Sequence, residues 1–276
     1  MINFQHLYQE LTPLYEEREA KAIVRAVLEV RFGLTLTDIL CDKVSEFSPK
    51  ELQTLQEIMK RLQKGEPVQY VLGKTDFCGH TFKVAPGVLI PRPETAELCE
   101  LILRQSPEGD ILDIGTGSGC IAITLALALK GKGQVTAWDI SQEALLIAKE
   151  NATELGANVN FGRQDALQLP ENQVQWDFII SNPPYVTEKE RVEMQKNVLD
   201  YEPAMALFVP DEDPLLFYRA ITKYAKTALR HGGSLFFEIN PQYEEAMKSM
   251  ILEEGLLEPK VYKDSFGKPR MFKAHR

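Results

Sequence analysis

The sequence lacks any apolar run that approaches the ~18 residues needed to cross a membrane. Its N-terminus also lacks the apolar core of a signal peptide, because Gln5, Gln9 and Glu10 lie where that core would be. These absences argue against a membrane protein and against a secreted protein. We therefore expect a cytoplasmic protein without a membrane partner.

The sequence has few residues that could ligate a metal. The 4 cysteines and 4 histidines are widely scattered, and no C-x-x-C pair occurs. This spacing favours free buried thiols over a zinc site or a disulfide framework. We expect no metal site. The cysteines are Cys41, Cys78, Cys99 and Cys120.

Positive charge is also scarce. The chain carries 31 Lys and Arg against 40 Asp and Glu, a net charge of −9. This balance argues against a broad electrostatic contact with nucleic acid, although a local basic patch is compatible with it. A length of 276 residues exceeds the usual single domain, so we expect one large domain with a smaller companion.

Residues 1–72 are predicted to form a small helical domain. The clearest helix covers 49–64, where Ser48, Pro49 and Glu51 have the pattern of a capping box with proline at the first helical position. Earlier helices are predicted over 4–11 and 13–31. This pattern is typical of a supporting bundle, and a substrate-docking domain would show the same pattern. Residues 73–92 are predicted to be a linker containing a β-hairpin over 75–84.

Residues 93–276 are predicted to form the main domain, in which strands alternate with helices. Such alternation predicts an α/β fold with a doubly wound, mostly parallel sheet. The predicted strands cover 111–114, 134–138, 158–161, 178–180 and 234–239, with two more near Val261 and Met271. The predicted helices run to about Arg104 and over 121–129, 142–155, 214–230 and 243–254.

A glycine-rich loop follows the first of these strands and precedes a helix. Gly115, Gly117 and Gly119 permit a ligand to approach the backbone closely. The spacing does not fit the dinucleotide pattern G-x-G-x-x-G, because Cys120 stands where that pattern needs its last glycine. The loop is therefore a candidate nucleoside site without a phosphate-binding pattern.

Acidic residues end the next two strands. Asp139 can accept hydrogen bonds from ribose hydroxyls, and Asp165 can meet a base edge. Turn glycines and solvated acids are the alternative explanation. A nucleoside ligand with no phosphate site suggests S-adenosylmethionine.

The fourth strand ends in Asn182-Pro183-Pro184-Tyr185. The two prolines donate no backbone hydrogen bond and restrict the direction of the chain, so an amide and an aromatic ring stand at a fixed place. The carboxyl end of a strand is where ligands bind in open α/β sheets. An ordinary Asn-Pro turn is the alternative.

These motifs carry a family resemblance. Asp113-x-Gly115-x-Gly117-x-Gly119 resembles the first motif of class I methyltransferases, and the 182–185 tetrapeptide resembles their amino-methylating signature. Adenine-N6 DNA methyltransferases share that tetrapeptide, so it does not select the substrate. The segments 65–73, 90–95 and 201–207 resemble the HemK/PrmC family, and together these motifs span nearly the whole chain.

The resemblance implies a class I methyltransferase fold, Rossmann-like, with an N-terminal helical domain that recognises the substrate. It also implies S-adenosylmethionine as cofactor and methylation of the glutamine N5 in the Gly-Gly-Gln motif of peptide chain release factors. The partner would be a release factor and the protein a monomer without direct nucleic-acid contact. Alternatives are a methyltransferase for a ribosomal protein glutamine, a nucleic-acid amino-methyltransferase, and a non-catalytic binder of the cofactor.

The resemblance assigns site residues as follows. The predicted catalytic residues are Asn182, Pro183 and Tyr185. The predicted cofactor-binding residues are Asp113, Gly115, Thr116, Gly117, Ser118, Gly119, Asp139, Asp165, Ala166 and Asn182. The predicted substrate-binding residues are Asn182, Pro183, Pro184, Tyr185, Arg92 and Glu202.

Chemistry suggests how the tetrapeptide would act. The Asn182 Oδ1 and the Pro183 carbonyl can accept the two N–H bonds of a substrate amide, with the Tyr185 ring against the flat amide. Arg92 and Glu202 would border the substrate entrance, or else form a salt bridge that holds the linker.

Two residues depart from the family pattern. Ala166 stands where an aromatic residue often packs on the adenine, which leaves the stacking undefined. Asn240 replaces a common glycine, and we expect this change to alter only a loop.

Overall fold

The computed structural model describes residues 2–105, 107–171 and 175–276. They divide into two compact units, which we call the helical unit (2–74 and 195–201) and the sheet unit (75–194 and 202–276). In the described ranges, no helix combines the length and apolar character needed to span a membrane.

The first part of the helical unit is a set of short helices around an apolar core. Leu11, Val24, Leu28, Leu55 and Leu62 are fully or almost fully buried there. Burial of such side chains is the main source of stability for a small bundle. The helices are α1 (Phe4–Gln9), α2 (Glu17–Phe32), α3 (Leu36–Leu40), α4 (Pro49–Leu62) and α5 (Val68–Leu72).

The best-predicted of these helices is α4. Its first turn has the predicted capping box, in which the Ser48 hydroxyl accepts from the Glu51 N–H while the Glu51 carboxylate accepts from the Ser48 N–H at 2.8 Å. Pro49 occupies the first turn, where its missing N–H costs nothing. Helix α2 begins four residues later than predicted, at Glu17, and ends before Gly33, whose φ of 69° closes it.

The predicted hairpin is present as β1 (Lys74–Phe77) and β2 (His80–Lys83). Phe77 and Phe82 are buried in the core of the sheet unit. Asn151 also holds the second strand, because its Oδ1 accepts from the Lys83 N–H at 2.7 Å and its Nδ2 donates to the Lys83 carbonyl at 3.0 Å. The hairpin therefore packs as part of the sheet unit, although the sequence places it in a linker over 73–92.

The sheet unit is built on seven strands in the order β10-β11-β9-β6-β3-β4-β5. The five strands from β9 to β5 run parallel to their neighbours, and β11 pairs antiparallel with both β9 and β10. The seven strands are β3 (Ile111–Ile114), β4 (Val135–Asp139), β5 (Val159–Arg163), β6 (Trp176–Ser181), β9 (Leu229–Glu238), β10 (Leu257–Lys263) and β11 (Pro269–His275). Two short strands, β7 (Val186–Thr187) and β8 (Phe208–Val209), pair parallel in a separate two-stranded sheet.

Helices cover the sheet and bury its apolar residues. The largest buried side chains include Tyr218, Phe236, Phe237 and Phe272. This architecture confirms the predicted doubly wound, mostly parallel sheet. The helices are α6 (Pro93–Leu103), α7 (Cys120–Leu129), α8 (Gln142–Leu155), α9 (Lys196–Tyr201), α10 (Leu216–Ala228) and α11 (Glu244–Glu253), of which α9 belongs to the helical unit.

The order of the strands determines where a ligand can bind. The chain moves outward from β3 through β4 to β5 and then returns to β6 on the other side of β3. The register pairs Ile114 with both Trp138 and Ser181. Loops that leave β3 and β6 therefore diverge from adjacent carboxyl ends, which is the crevice where open α/β sheets bind ligands.

Candidate active site

A cavity of about 360 Å³ opens at this crevice. It is lined by the loop after β3, by the ends of β4 and β6, and by the segment after β5. The predicted site residues on its wall are Arg92, Gly115, Thr116, Gly117, Ser118, Asp139, Asp165, Ala166, Asn182, Pro183 and Pro184. The site can therefore be described as two sides, a glycine-loop side and a tetrapeptide side.

The glycine loop adopts a backbone that favours glycine. Gly115, Gly117 and Gly119 have φ values of 78°, 56° and 82°. A Cβ on Gly119 would lie 2.8 Å from the Ile123 Cδ1 and 3.1 Å from the Ala148 Cβ, so this glycine also permits close packing of α7 and α8. Gly119 is not among the cavity-lining residues.

Asp113 supports the loop from behind. It is fully buried, and its Oδ2 accepts from the Thr116 hydroxyl at 2.6 Å. Burial raises the pKa of the Asp113 carboxyl to about 7. Asp113 does not line the cavity, whereas Thr116 does.

Asp139 projects its carboxylate at the end of β4. One oxygen accepts from the Gly117 N–H and the other from the Ser141 N–H, both at 2.8 Å. Each carboxylate oxygen can accept a second hydrogen bond, so both remain able to meet a ligand hydroxyl. Burial raises the pKa of Asp139, and the backbone donors act in the opposite direction.

Apolar side chains lie beside the two acids. Ile140 and Leu167 line the cavity, with 40% and 42% of their surface exposed. Asp165 orients the second of them, because its Oδ1 accepts from the Leu167 N–H at 2.8 Å. Large exposed apolar groups at a cavity mark a surface for an apolar ligand face. Ile140 and Leu167 can therefore provide apolar contacts to a ligand ring, although Ala166 provides no aromatic ring for stacking.

The tetrapeptide side begins at the end of β6. The Ser181 hydroxyl donates to the Ile114 carbonyl at 2.6 Å and so links the two central strands. The Asn182 Nδ2 donates to the Thr95 Oγ1 at 3.1 Å. Pro183 and Pro184 continue the cavity wall.

Tyr185 lies behind this wall, not on it. Its ring packs against the core of the sheet unit, and its hydroxyl donates to the Glu238 Oε1 at 2.9 Å. Burial and the neighbouring carboxylate raise the pKa of Tyr185 well above its usual range. Tyr185 is not among the residues lining the cavity. A contact of its ring with a substrate amide stays a prediction.

Arg92 and Glu202 form an ion pair with 2.5 Å between the Arg92 Nη2 and the Glu202 Oε1. The other Glu202 oxygen accepts from the Ile90 N–H at 3.1 Å, and the Glu202 side chain is 1% exposed. The salt bridge that the sequence offered as one alternative is therefore present. Arg92 lines the cavity and Glu202 does not, and the role of either in substrate binding stays a prediction.

Comparison with known proteins identifies the family. Residues 4–73 match the family model of the PrmC N-terminal domain, and residues 94–202 match that of the methyltransferase small domain. A release factor glutamine methyltransferase of Bacteroides thetaiotaomicron is 49% identical over 273 residues, which cover 98% of this chain and 98% of that protein. The chain belongs to the release factor glutamine methyltransferase family.

Other comparisons agree with this assignment. A release factor glutamine methyltransferase of Flavobacterium psychrophilum is 38% identical and covers 97% of this chain and 95% of its own length. The structure of the T. thermophilus 16S rRNA N2 G1207 methyltransferase (RsmC), in complex with AdoMet and guanosine, has a TM-score of 0.53 at 18% identity. It covers 74% of this chain and 49% of that chain, and the likeness concerns the fold alone. The predicted HemK/PrmC resemblance and class I methyltransferase fold are confirmed.

Two residues of this release factor glutamine methyltransferase family member support the tetrapeptide by hydrogen bonds. The sequence did not indicate this role for either of them. Thr95 bonds Asn182, and Glu238 bonds both Thr95 and Tyr185. Thr95 lies within the 90–95 segment that carried the family resemblance, so its position could have been noticed. Glu238 ends a strand, as Asp139 does, and this position was the only sequence signal for its role at the site.

The expectation that Asn240 alters only a loop is wrong. Asn240 is buried, and its Nδ2 donates to the Tyr185 carbonyl at 3.2 Å and to the Glu190 Oε1 at 3.0 Å. Its Oδ1 accepts from the Gln242 N–H at 3.1 Å. A glycine could make none of these side-chain bonds, so Asn240 ties the end of the tetrapeptide to the loop after β9.

Proposed function

We propose that this protein transfers the methyl group of S-adenosylmethionine to the side-chain amide nitrogen of the glutamine in the Gly-Gly-Gln motif of peptide chain release factors. The observation that carries the proposal is one cavity whose lining includes both the expected nucleoside-binding groups and the asparagine that begins the amino-methylating tetrapeptide. Family membership over nearly the whole chain supports the same activity.

The described residues fit the cofactor. A volume of about 360 Å³ lies within the ~300–1,000 Å³ of small-molecule sites. The Asp139 oxygens retain acceptor capacity for ribose hydroxyls. Asp165 can meet the adenine edge, while Ile140 and Leu167 can pack on its faces. Open space around Gly115 lets the chain of the cofactor approach the backbone.

When bound, S-adenosylmethionine supplies a methyl group that is electrophilic because it is attached to a sulfonium. The protein must then activate a carboxamide nitrogen, whose lone pair is delocalised into its carbonyl. Acceptors placed out of the amide plane, the Asn182 Oδ1 and the Pro183 carbonyl, hold the two N–H bonds and favour a pyramidal nitrogen. Its lone pair can then point toward the methyl group.

The transfer needs no strong base. A nitrogen–carbon bond forms as the sulfur–carbon bond breaks, and the methylated amide then gives one proton to solvent. Positioning and fixed dipoles account for the catalysis, with the donors and acceptors already in place before the reaction.

We infer that the helical unit contributes to recognition of the release factor. The match of residues 4–73 to the PrmC N-terminal domain supports this inference. Hydrogen exchange of the Asn182→Ala variant, with and without release factor, tests it. Slower exchange within 2–74 is expected, and protection confined to the sheet unit would contradict it.

We further propose that the protein acts as a monomer in the cytoplasm and binds its substrate without nucleic acid. The net charge of −9 supports the last point. Light scattering should give the mass of one chain, and nuclease treatment should leave methylation of purified release factor unchanged. A dimer mass or loss of activity after nuclease treatment would contradict the proposal.

The deciding experiment is incubation with methyl-labelled S-adenosylmethionine and purified acceptors. Release factor should be labelled, and a release factor whose motif glutamine is replaced by alanine should not. Ribosomal proteins and DNA are the parallel arms. Label that enters either of them in place of the release factor would assign a different acceptor.

A further inference from the structure

A buried carboxylate lies behind the tetrapeptide. Glu238 ends β9 and is 1% exposed. Its Oε2 accepts from the Thr95 hydroxyl at 2.6 Å, and its Oε1 accepts from the Tyr185 hydroxyl at 2.9 Å. The Thr95 oxygen in turn meets the Asn182 Nδ2 at 3.1 Å. A chain of hydrogen bonds therefore connects Glu238 to the wall of the cavity.

When Glu238 is ionised, the protons in this chain of hydrogen bonds have only one possible arrangement. A carboxylate only accepts, and a hydroxyl has a single proton to donate. Thr95 must give its proton to Glu238, so toward Asn182 its oxygen can only accept. The group of Asn182 that faces Thr95 must then be the NH₂ group.

This constraint determines the direction of the Asn182 amide. The oxygen and nitrogen of an asparagine side chain have nearly the same shape, so packing alone does not distinguish the two orientations. With the NH₂ group held by Thr95, the Oδ1 takes the opposite position. Asn182 lines the cavity, and the Oδ1 is the acceptor that the transfer needs.

We propose that Glu238 and Thr95 are positioning residues that orient the Asn182 amide with its oxygen available to the substrate. The proposal rests on the proposed function for its kinetic consequences, while the orientation itself can be measured without any substrate. In the opposite orientation, an NH₂ group would face the N–H bonds of the substrate amide and could accept neither.

Burial raises the pKa of Glu238, and the negative charge of Glu94 acts in the same direction. The hydroxyls of Thr95 and Tyr185 and the positive charge of Arg270 oppose this shift and stabilise the carboxylate. Two donors aimed at one buried carboxylate satisfy it without a neutralising proton.

The first test removes only the Thr95 hydroxyl. Thr95→Val keeps the shape of the side chain, and the single-turnover rate of methyl transfer should fall roughly 10-fold to 100-fold, the range for a misdirected polar group in a catalytic site. The dissociation constant for S-adenosylmethionine should change less than about twofold, since the substitution leaves the glycine loop, Asp139 and Asp165 unchanged. Thr95→Ser should restore most of the rate, because it restores the hydroxyl.

Thr124→Val is the matched control. Thr124 is also a buried threonine of the sheet unit, and it does not line the cavity. Its replacement should leave the rate unchanged. Equal losses from Thr95→Val and Thr124→Val would reduce the effect to general packing and overturn the proposal.

Glu238→Gln is the second, independent variant. Its amide oxygen can accept from only one of the two hydroxyls. Where its NH₂ group meets Thr95, the Thr95 hydroxyl becomes free to donate to Asn182 and the Asn182 amide can reverse. The rate should again fall about 10-fold or more with little change in cofactor affinity. A wild-type rate in folded Glu238→Gln protein that has lost the contact between the Asn182 NH₂ group and Thr95 would overturn the proposal.

A third readout needs no methyl acceptor. In protein labelled with ¹⁵N at asparagine, the Asn182 side-chain NH₂ protons should show a nuclear Overhauser effect to the Thr95 methyl group. This contact should disappear or weaken in Glu238→Gln. If the wild-type protein methylates release factor without this contact, the proposed orientation fails. If the contact is present but no release factor is labelled, the proposed function fails and the orientation stands.

Discussion

The two sides of the cavity are organised differently. On the glycine-loop side, two of the bonds are local, since Thr116 donates to Asp113 three residues away and Leu167 donates to Asp165 two residues away. The bond from the Gly117 N–H to Asp139 joins residues 22 apart. On the tetrapeptide side, the bonds join distant parts of the chain. Asn182 and Thr95 are 87 residues apart. Thr95 and Glu238 are separated by 143 residues.

This difference separates binding from orientation. Backbone N–H groups hold Asp139 and Asp165 on the glycine-loop side, and these two acids keep acceptor capacity for the ligand. Side chains hold the amide of the tetrapeptide side, so its orientation depends on each of them. Substitutions on the first side should therefore lower cofactor affinity, and those on the second should lower the rate of transfer.

The largest expected effect is on the tetrapeptide side. Asn182→Ala removes the acceptor oxygen and should reduce single-turnover methyl transfer by about 10²-fold or more, the scale of losing one preorganised polar group. Cofactor affinity, measured by calorimetry, should change much less. A wild-type rate would show that Asn182 has only a structural role in the turn. The proposed difference in function between the two sides of the cavity would then be wrong.

The next effect is on the glycine-loop side. Asp139→Ala should weaken S-adenosylmethionine binding by about 1.5–3 kcal/mol, because charge-assisted hydrogen bonds to the ribose would be lost. Calorimetry on the folded variant measures this. Asp211→Ala is the control. The Asp211 carboxylate also accepts from a backbone N–H, that of Lys189, and Asp211 does not line the cavity. Equal dissociation constants for Asp139→Ala and wild type would remove Asp139 from the site.

A smaller effect concerns stability and pH. Because burial raises the Asp113 pKa to about 7 in the folded protein, the folded state binds this proton more tightly than the unfolded state does. The stabilisation is full below about pH 4 and is lost as the pH rises through about 7. Between pH 5 and 8, the free energy of unfolding of wild type should fall relative to that of Asp113→Asn, on the order of 1–2 kcal/mol.

Urea unfolding at several pH values measures this difference. The other buried carboxyls, Asp139 and Glu238, titrate in both proteins and cancel in the comparison. Parallel pH curves for wild type and Asp113→Asn would mean that Asp113 has an ordinary pKa.

The smallest expected effect returns to the tetrapeptide side. Asn240→Gly removes the bonds to the Tyr185 carbonyl and Glu190. The free energy of unfolding should fall by about 1 kcal/mol and the transfer rate by less than about tenfold, since Asn240 holds the segment without facing the cavity. If stability and rate are both unchanged, the hydrogen bonds of Asn240 do not contribute to holding the tetrapeptide.

Much of the fold could be predicted because its signals are local. Strand β3 and helix α8 have the predicted bounds, 111–114 and 142–155. Helices α3 and α5 were missed because five residues are too few to show helical periodicity. Strand β9 begins at Leu229, five residues before its predicted start, since a register shift against β6 lets the strand include Gly232 and Gly233.

The same distinction between local and non-local signals applies to the site. The glycine loop and Asp139 follow strands directly, so the sequence placed them at the cavity. The direction of Tyr185 could not be read in this way, because it depends on the position of Glu238 in a neighbouring strand. Thr95 likewise becomes a partner of Asn182 only after α6 packs on the sheet.

The return of residues 195–201 to the helical unit affects how this protein can be divided. Tyr201 donates to the Lys64 carbonyl at 3.1 Å, yet Met194 and Glu202 on either side belong to the sheet unit. The chain therefore passes between units after Lys74, after Met194 and after Tyr201. The two units are interleaved along the sequence, so a fragment that ends at Lys74 lacks the part of the helical unit formed by residues 195–201. A protease cut near α9 would therefore fall in residues of the helical unit that are far in sequence from its first 74 residues.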